Sequence, residues 1–294
     1  MIRKIADRLL GTGQKRALKR VVNSGRRHIS QTLKSYEKAD LVEALRGLGL
    51  QAGDTVMVHA NFPADTGFQG APADMVEALL DAVGDSGNLL MMSIPFRGSA
   101  YDYLEKDKLF DAAKTVSMVG LVTEMFRRRP GTLRSLHPTH PVLAHGPDAA
   151  TMVAHHESTV YPCGRGSPFD DLRERQGKLL FVDVSFGAIT FFHHLEDLFK
   201  DKLSVPVYEE RLFEARVRDA DGREHIVPTL AFNRQAARNT DILEEELGNA
   251  GALAQGKIGS TSLLLVGCES VVNAMSTLID RGDQPVTVAE QGKA

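Results

Sequence analysis

The stretch GDTVMVHANFPADTGFQGAPADMVEALLDAVGDSGNLLMMSI, residues 53–94, decides the fold. Gly53-Asp54 turns the chain into a β-rich run over residues 55–59, after which Met75, Val76, Leu79, Leu80 and Val83 repeat at helical spacing. Gly84 and Gly87 break that helix, and residues 88–94 form a nearly continuous apolar run. Such a run suits a strand buried on both faces. Upstream, Leu41, Leu45 and Leu48 place another helix over residues 39–50. Helix, strand, helix and strand in this order predict a sheet covered by helices.

Working outward, the same patterns predict helices over residues 118–128, 149–156, 189–200 and 271–279, and strands over 142–145 and 179–184. Residues 213–218 and 223–227 flank Asp219-Ala220-Asp221-Gly222, whose Asp-Gly pair signals a hairpin. The hairpin is the reason to expect a mixed sheet. Periodicity fails between residues 95 and 117, so a long ordered loop is expected there, and loops of that length in compact domains are usually functional or disordered. The expected fold class is α/β, a mixed central sheet flanked by helices, with a small β-hairpin and a basic N-terminal helical arm. One domain is expected over residues 36–294, preceded by the arm over 1–35.

Net charge is −3, but residues 1–27 carry nine Lys and Arg against Asp7 alone, which leaves −11 for the remainder. An acidic body argues against nucleic acid as a ligand and suits a cationic substrate. No stretch is long and apolar enough to span a bilayer, and no apolar core of a signal peptide follows the basic N-terminus. The expectation is a cytoplasmic protein without integral membrane contact. Cys163 and Cys268 stand far apart, which suggests neither a disulfide framework nor a cysteine zinc site. In the arm, Ile2, Ile5, Leu9, Leu10, Leu18, Val21 and Val22 interleave with basic residues as amphipathic helices would. Packing on the domain or pairing two copies as a homodimer ranks ahead of contact with an anionic surface, because basic amphipathic segments more often cover protein than lipid.

Five of the ten histidines fall between His137 and His156. There is no HExxH, and adjacent histidines on a helix point about 100° apart, so no metal site is expected. The more specific element is Thr190-Phe191-Phe192-His193-His194-Leu195-Glu196. On a helix His193 and Glu196 share a face, and a carboxylate can fix the tautomer of a histidine base. Asp183, at the end of the preceding strand, is the alternative partner. Against this stands a plain helix start, with Thr190 as cap and one histidine simply exposed. Pro138 and Pro141 bias His137 and His140 to extended conformations, which makes Arg134-Ser135-Leu136-His137-Pro138 a rigid segment able to present groups to a ligand. Gly164-Arg165-Gly166-Ser167-Pro168 is a glycine-rich turn able to approach a phosphate.

Taken in order, these elements resemble the aminoglycoside 3-N-acetyltransferase family, over residues 41–273. The carriers are Leu48-Gly49-Leu50, Gly53-Asp54 and Val58-His59; Gly67 with Gly70; Phe110-Asp111; Thr115 to Gly120 with Glu124, Phe126-Arg127 and Pro130; Arg134-Ser135 with His137-Pro138; Gly146; Gly166-Ser167-Pro168; Thr190, His193 and Glu196; and Gly256-Lys257-Ile258-Gly259. The resemblance implies acetyl-CoA as co-substrate, a small-molecule amine of an aminoglycoside or amino sugar as acceptor, and direct transfer without an acyl-enzyme. It implies His193 as base, with Glu196 orienting it or holding the cationic acceptor. It further implies that His59, Ala60, Asn61, Arg134, Ser135, His137 and Ser167 line the acetyl-CoA channel. Three features depart from the family pattern: Ala60-Asn61 stands where two serines are common, Asp183 where a glycine is usual, and Gly187-Ala188-Ile189 where an acidic residue often precedes the threonine. A catalytically silent relative that binds CoA or a partner through the same cleft is the alternative reading.

Overall fold

A computed structural model describes residues 34–63 and 65–289. The N-terminal arm, apart from Lys34 and Ser35, lies outside the described residues. In chain order the elements are α1 (Lys38–Gly47), β1 (Thr55–Ala60), α2 (Pro72–Val83), β2 (Asn88–Met92), α3 (Ala100–Leu104), β3 (Phe110–Asp111), α4 (Leu121–Arg128), β4 (Leu133–Arg134) and β5 (Val142–His145). There follow α5 (Ala149–Val153), α6 (Pro168–Glu174), β6 (Lys178–Val182), α7 (Phe192–Leu198), β7 (Tyr208–Arg218), β8 (Glu224–Phe232), β9 (Ala236–Arg238), α8 (Thr240–Asn249), β10 (Ala254–Ile258), β11 (Thr261–Gly267), α9 (Cys268–Arg281) and β12 (Val286–Val288).

The central sheet has the order β10-β11-β6-β1-β2-β5-β4. Its middle strands β6, β1 and β2 run parallel, while β11 and β5 flank them antiparallel. Strict alternation along these strands feeds two cores. Val56 and Val58, Leu89 and Met91, and Leu180 and Val182 face one side with Leu45 of α1, Leu79 of α2 and Phe126 of α4. Met57, Leu90, Leu179 and Phe181 face the other, where α5 to α9 pack through Met152, Phe169, Leu195, Leu247 and Met275. Each such buried side chain contributes about 1.5–3 kcal/mol. Helix boundaries follow local chemistry: Pro72 opens α2, Asp74 accepts the Ala71 N–H at 2.7 Å, and Gly84 ends it at φ 67°.

The sheet is mixed, but not because of the hairpin. β7 and β8 pair around the Asp219–Gly222 turn and join β3 in a separate three-stranded sheet. Its inner face packs on α3 through Ala100, Leu104, Phe213 and Ala231, so its apolar side is already covered. The expected loop over 95–117 thus contains α3, capped by the Ser99 hydroxyl, and the short strand β3. The helix expected over 149–156 ends at Val153; His155 adopts φ 61° and leads into a 3-10 turn at His156–Ser158. This turn exposes His155 and buries His156.

Candidate active site

The segment after β6 is fastened to the end of β1. The Thr190 N–H donates to His59 Nε2 at 3.1 Å, and the Thr190 hydroxyl lies 2.9 Å from the same nitrogen. His59 stacks on Phe181, its register partner on β6, at 4.7 Å between ring centroids. Burial lowers its pKa to about 4, which keeps the ring neutral and able to accept at pH 7. Phe191, Phe192 and Leu195 then enter the core, and His194 is buried with its Nδ1–H donating to the Cys163 carbonyl at 2.7 Å. His193 is left facing outward, its side chain 22% exposed.

One turn later Glu196 is fully buried, and its Oε2 accepts from His193 Nδ1 at 2.6 Å and from Arg238 Nε at 2.9 Å. Burial opposes its ionisation, but the hydrogen bonds and charges of His193 and Arg238 outweigh burial and hold its pKa below the usual range. A carboxylate can only accept, so Nδ1 carries the ring proton and Nε2 is the basic nitrogen of His193. Arg238 sits on β9, which β12 holds through the Arg238–Val286 register, and its Nη1 also donates to the Ala236 carbonyl at 3.2 Å.

His193 borders a cavity of about 320 Å³ with Phe96, His140, Phe232, Arg234 and Arg238 among its walls. Phe232 stacks on the imidazole at 4.2 Å and His140 approaches it edge-on at 5.6 Å. Burial, with the charge of His193, lowers the pKa of His140 well below its usual value. A neutral His140 offers no second charge to the base. The cavity lies beyond the C-terminal ends of the parallel strands, the usual position for ligands on open α/β sheets.

Other residues expected at the site turn inward. Asp183 makes no contact with His193 among the described residues; its N–H donates to the Ser262 carbonyl at 2.9 Å, and burial, with a smaller contribution from the Asp65 charge, raises its pKa. Its φ of 54° lies in the left-handed region, which explains why a glycine is expected there. Ser135 accepts the Val142 N–H at 2.8 Å and bonds His156 Nδ1 at 2.8 Å, while His156 Nε2–H donates to the Pro162 carbonyl at 2.8 Å. His137 is fully buried: its Nδ1 accepts the N–H groups of Thr139 at 3.3 Å and His140 at 3.2 Å, and its Nε2 meets the Thr229 hydroxyl at 3.2 Å. Arg134 lies over the Phe110 ring and donates to the carbonyls of Ser93 at 2.8 Å and Thr115 at 2.6 Å. The rigid 134–138 segment therefore braces the strand ends through Ser135 and His137, while Arg134 and Leu136 also line a second cavity of about 540 Å³. Buried polar groups need partners, and Ser135 and His137 found theirs inside, whereas the buried Arg134 Nε has none among the described residues.

Ser167 is buried at the start of α6, and the glycine turn before it serves the same fold. A side chain at Gly164 would strike the Asp197 carboxylate at 2.6 Å, and the Gly166 N–H donates to Asp170 at 2.9 Å. Of the expected channel residues, His59 is buried, Ala60 half-buried and Asn61 exposed at the end of β1. Sequence reasoning missed Phe232, Arg234 and Arg238, which come from the hairpin's end and β9. No local periodicity links Arg238 to Glu196, 42 residues earlier. It also missed an exposed apolar ridge, Val116, Met118, Val119 and Leu121, leading into α4. The Met118 N–H donates to the carbonyl of Ile94, a cavity wall, so this ridge adjoins the site.

Residues 57–280 match the family model described as aminoglycoside 3-N-acetyltransferase. The chain is 31% identical over 173 residues to aminoglycoside N(3)-acetyltransferase III of Acinetobacter baumannii, a stretch covering 55% of this chain and 60% of that one. It is 28% identical over 254 residues to aminoglycoside N(3)-acetyltransferase VII of Streptomyces paromomycinus, covering 79% and 88%. Among solved structures it is similar to AAC-IIIb in its binary complex with CoASH, with a TM-score of 0.71 at 25% identity, covering 85% of this chain and 98% of that one.

Proposed function

The chain belongs to the aminoglycoside 3-N-acetyltransferase family, and on that premise we propose that it transfers an acetyl group from acetyl-CoA to the amine of an aminoglycoside or amino sugar. The observation that carries the reading is the 2.6 Å bond from His193 Nδ1 to buried Glu196, which leaves Nε2 as the base at the cavity. His193 takes the proton from the acceptor's ammonium, and the freed nitrogen lone pair forms the C–N bond as the thioester C–S bond breaks. The imidazolium then returns its proton to the departing thiolate, and the second proton of the attacking nitrogen leaves to solvent as the neutral amide forms. Glu196 stabilises that imidazolium, and Arg238 keeps Glu196 ionised throughout. The exposed ridge of Val116, Met118, Val119 and Leu121 offers an apolar path for the pantetheine arm toward Ile94. Relatives named for aminoglycosides and a neighbour bound to CoASH support both substrates.

No helix among the described residues is long and apolar enough to cross a membrane. We place the reaction in the cytoplasm, where acetyl-CoA is formed. Thiol release from acetyl-CoA, followed with a panel of aminoglycosides and simple amino sugars, tests the proposal. At least one amine should release thiol and gain one acetyl group. Tight CoA binding with no thiol release for any amine would instead mark a silent relative.

A further inference from the structure

The cavity beside His193 has a second imidazole in its wall, and buried partners behind that ring fix its polarity. His140 is 4% exposed. Its Nδ1 lies 2.9 Å from the Thr139 hydroxyl, and its Nε2 makes no hydrogen bond among the described residues. Unlike the unpartnered Nδ1 of His59 and Nε2 of His194, which are sealed in the core, His140 Nε2 is open to the cavity. The ring meets His193 edge-on at 5.6 Å and Phe232 at 5.2 Å, which holds it in place. Burial, with the charge of His193, keeps it neutral.

Which nitrogen of His140 carries the proton follows from that chain of partners. His137 Nδ1 accepts two backbone N–H groups, so it is bare, and its Nε2–H donates to the Thr229 hydroxyl, which donates onward to the Leu230 carbonyl at 3.2 Å. Thr139 is fully buried, so its hydroxyl proton turns to one of two ring nitrogens, His137 Nδ1 at 3.4 Å or His140 Nδ1 at 2.9 Å. Turned to His140, it would set an oxygen lone pair against the bare nitrogen of His137. Turned to His137, it lets the hydroxyl accept from His140 Nδ1–H, and both bonds are made. His140 Nε2 is then left with a lone pair facing the cavity.

A lone pair beside a base that removes one proton suits a reacting group with a second proton to offer. An amine has one, whereas a hydroxyl that has given its proton to His193 can only turn oxygen lone pairs toward His140. Rings 5.6 Å apart allow one nitrogen to lie about 3 Å from both Nε2 atoms. The guanidinium groups of the wall are paired, Arg234 with Asp102 and Glu209 and Arg238 with Glu196, so they set no uncompensated charge against an entering ammonium. We propose that His140 Nε2 accepts a hydrogen bond from the second N–H of the acceptor amine and so aims its nitrogen lone pair at the thioester. This inference rests on the acetyl-transfer reading above.

The test is a nitrogen-15 NMR spectrum of wild-type protein labelled in its histidine rings, with His140 assigned from the resonances lost in His140→Gln. Glucosamine and gentamicin are titrated in without acetyl-CoA, and thiol release is measured with the same amines. At pH 7 His140 should show a protonated Nδ1 and a bare Nε2, and the Nε2 resonance should shift as amine binds. His140→Phe, which keeps the ring shape without its nitrogens, should weaken amine binding and lower kcat/KM at least tenfold, and His140→Gln, whose carbonyl can accept, should recover most of that loss. A protonated Nε2, or an Nε2 unmoved by an amine that is acetylated, overturns the role of His140 and leaves acetyl transfer standing; because both are read on wild type, they hold whether or not the variants fold. An Nε2 shifted by amine with no thiol release would uphold the amine contact and refute acetyl transfer. Neither a shift nor thiol release with any amine would refute both.

Discussion

Replacing His193 by alanine is expected to lower turnover by about 10²–10⁴-fold, the range typical of losing a general base, while acetyl-CoA affinity changes little. His193 is partly exposed at the cavity, so truncating it removes its stacking on Phe232 and one of the two partners of buried Glu196, and a modest fall in thermal stability should accompany the much larger loss of turnover. His194, its neighbour, is buried and donates to the Cys163 carbonyl at 2.7 Å. His194→Ala should therefore weaken stability more than chemistry in the molecules that fold. Steady-state kinetics with melting curves on both variants separate the roles. Near-normal turnover in folded His193→Ala would remove that imidazole from the mechanism.

Acid should destabilise the protein well above the usual carboxylate range. Burial lowers the pKa of His59 and of His156 from 6.5 to about 4, and lowers those of His137 and His140 well below the usual histidine value. For a base whose folded pKa is depressed, the unfolded chain binds more protons between the two values. The stabilisation is complete above about pH 6.5 and is lost as pH falls toward 4. Between pH 7.5 and 5, His59 and His156 should each cost about 2 kcal/mol, a large part of the 5–15 kcal/mol that usually holds a domain together. His137, His140 and His156 crowd one another, with ring centroids 4.6 Å apart for His137 and His156, so repulsion deepens the loss. Denaturant unfolding measured across this window should show a steep fall. A flat profile from pH 7.5 to 5 would contradict the neutral buried rings.

The parts of this molecule legible in the sequence are those fixed by near neighbours. Alternation and apolar runs placed β1, α2 and β2, and Asp219–Gly222 placed the β7–β8 hairpin. The spacing of His193 and Glu196 anticipated their hydrogen bond because a helix brings i and i+3 together. Tertiary packing decided the rest. Whether Ser135 or His137 faced a ligand or the core depended on Val142, His156 and Thr229, which no local pattern connects to them. A prolyl-rigid segment can present its side chains to either side. Helix α3 and strand β3 were too short to leave a periodicity, and Arg238 reaches Glu196 only through the pairing of β9 with β12.

The central claim is acetyl transfer to an amine by His193 acting as base, with no acetyl group ever held on the protein. It is tested most directly by recording, on the same quenched samples, the masses of protein and acceptor after rapid mixing with isotopically labelled acetyl-CoA. The account predicts label on the acceptor nitrogen in step with thiol release, an unmodified protein at every time point, and loss of both signals in His193→Ala. Label accumulating on the protein before the acceptor, or appearing at an undiminished rate in His193→Ala, would contradict it.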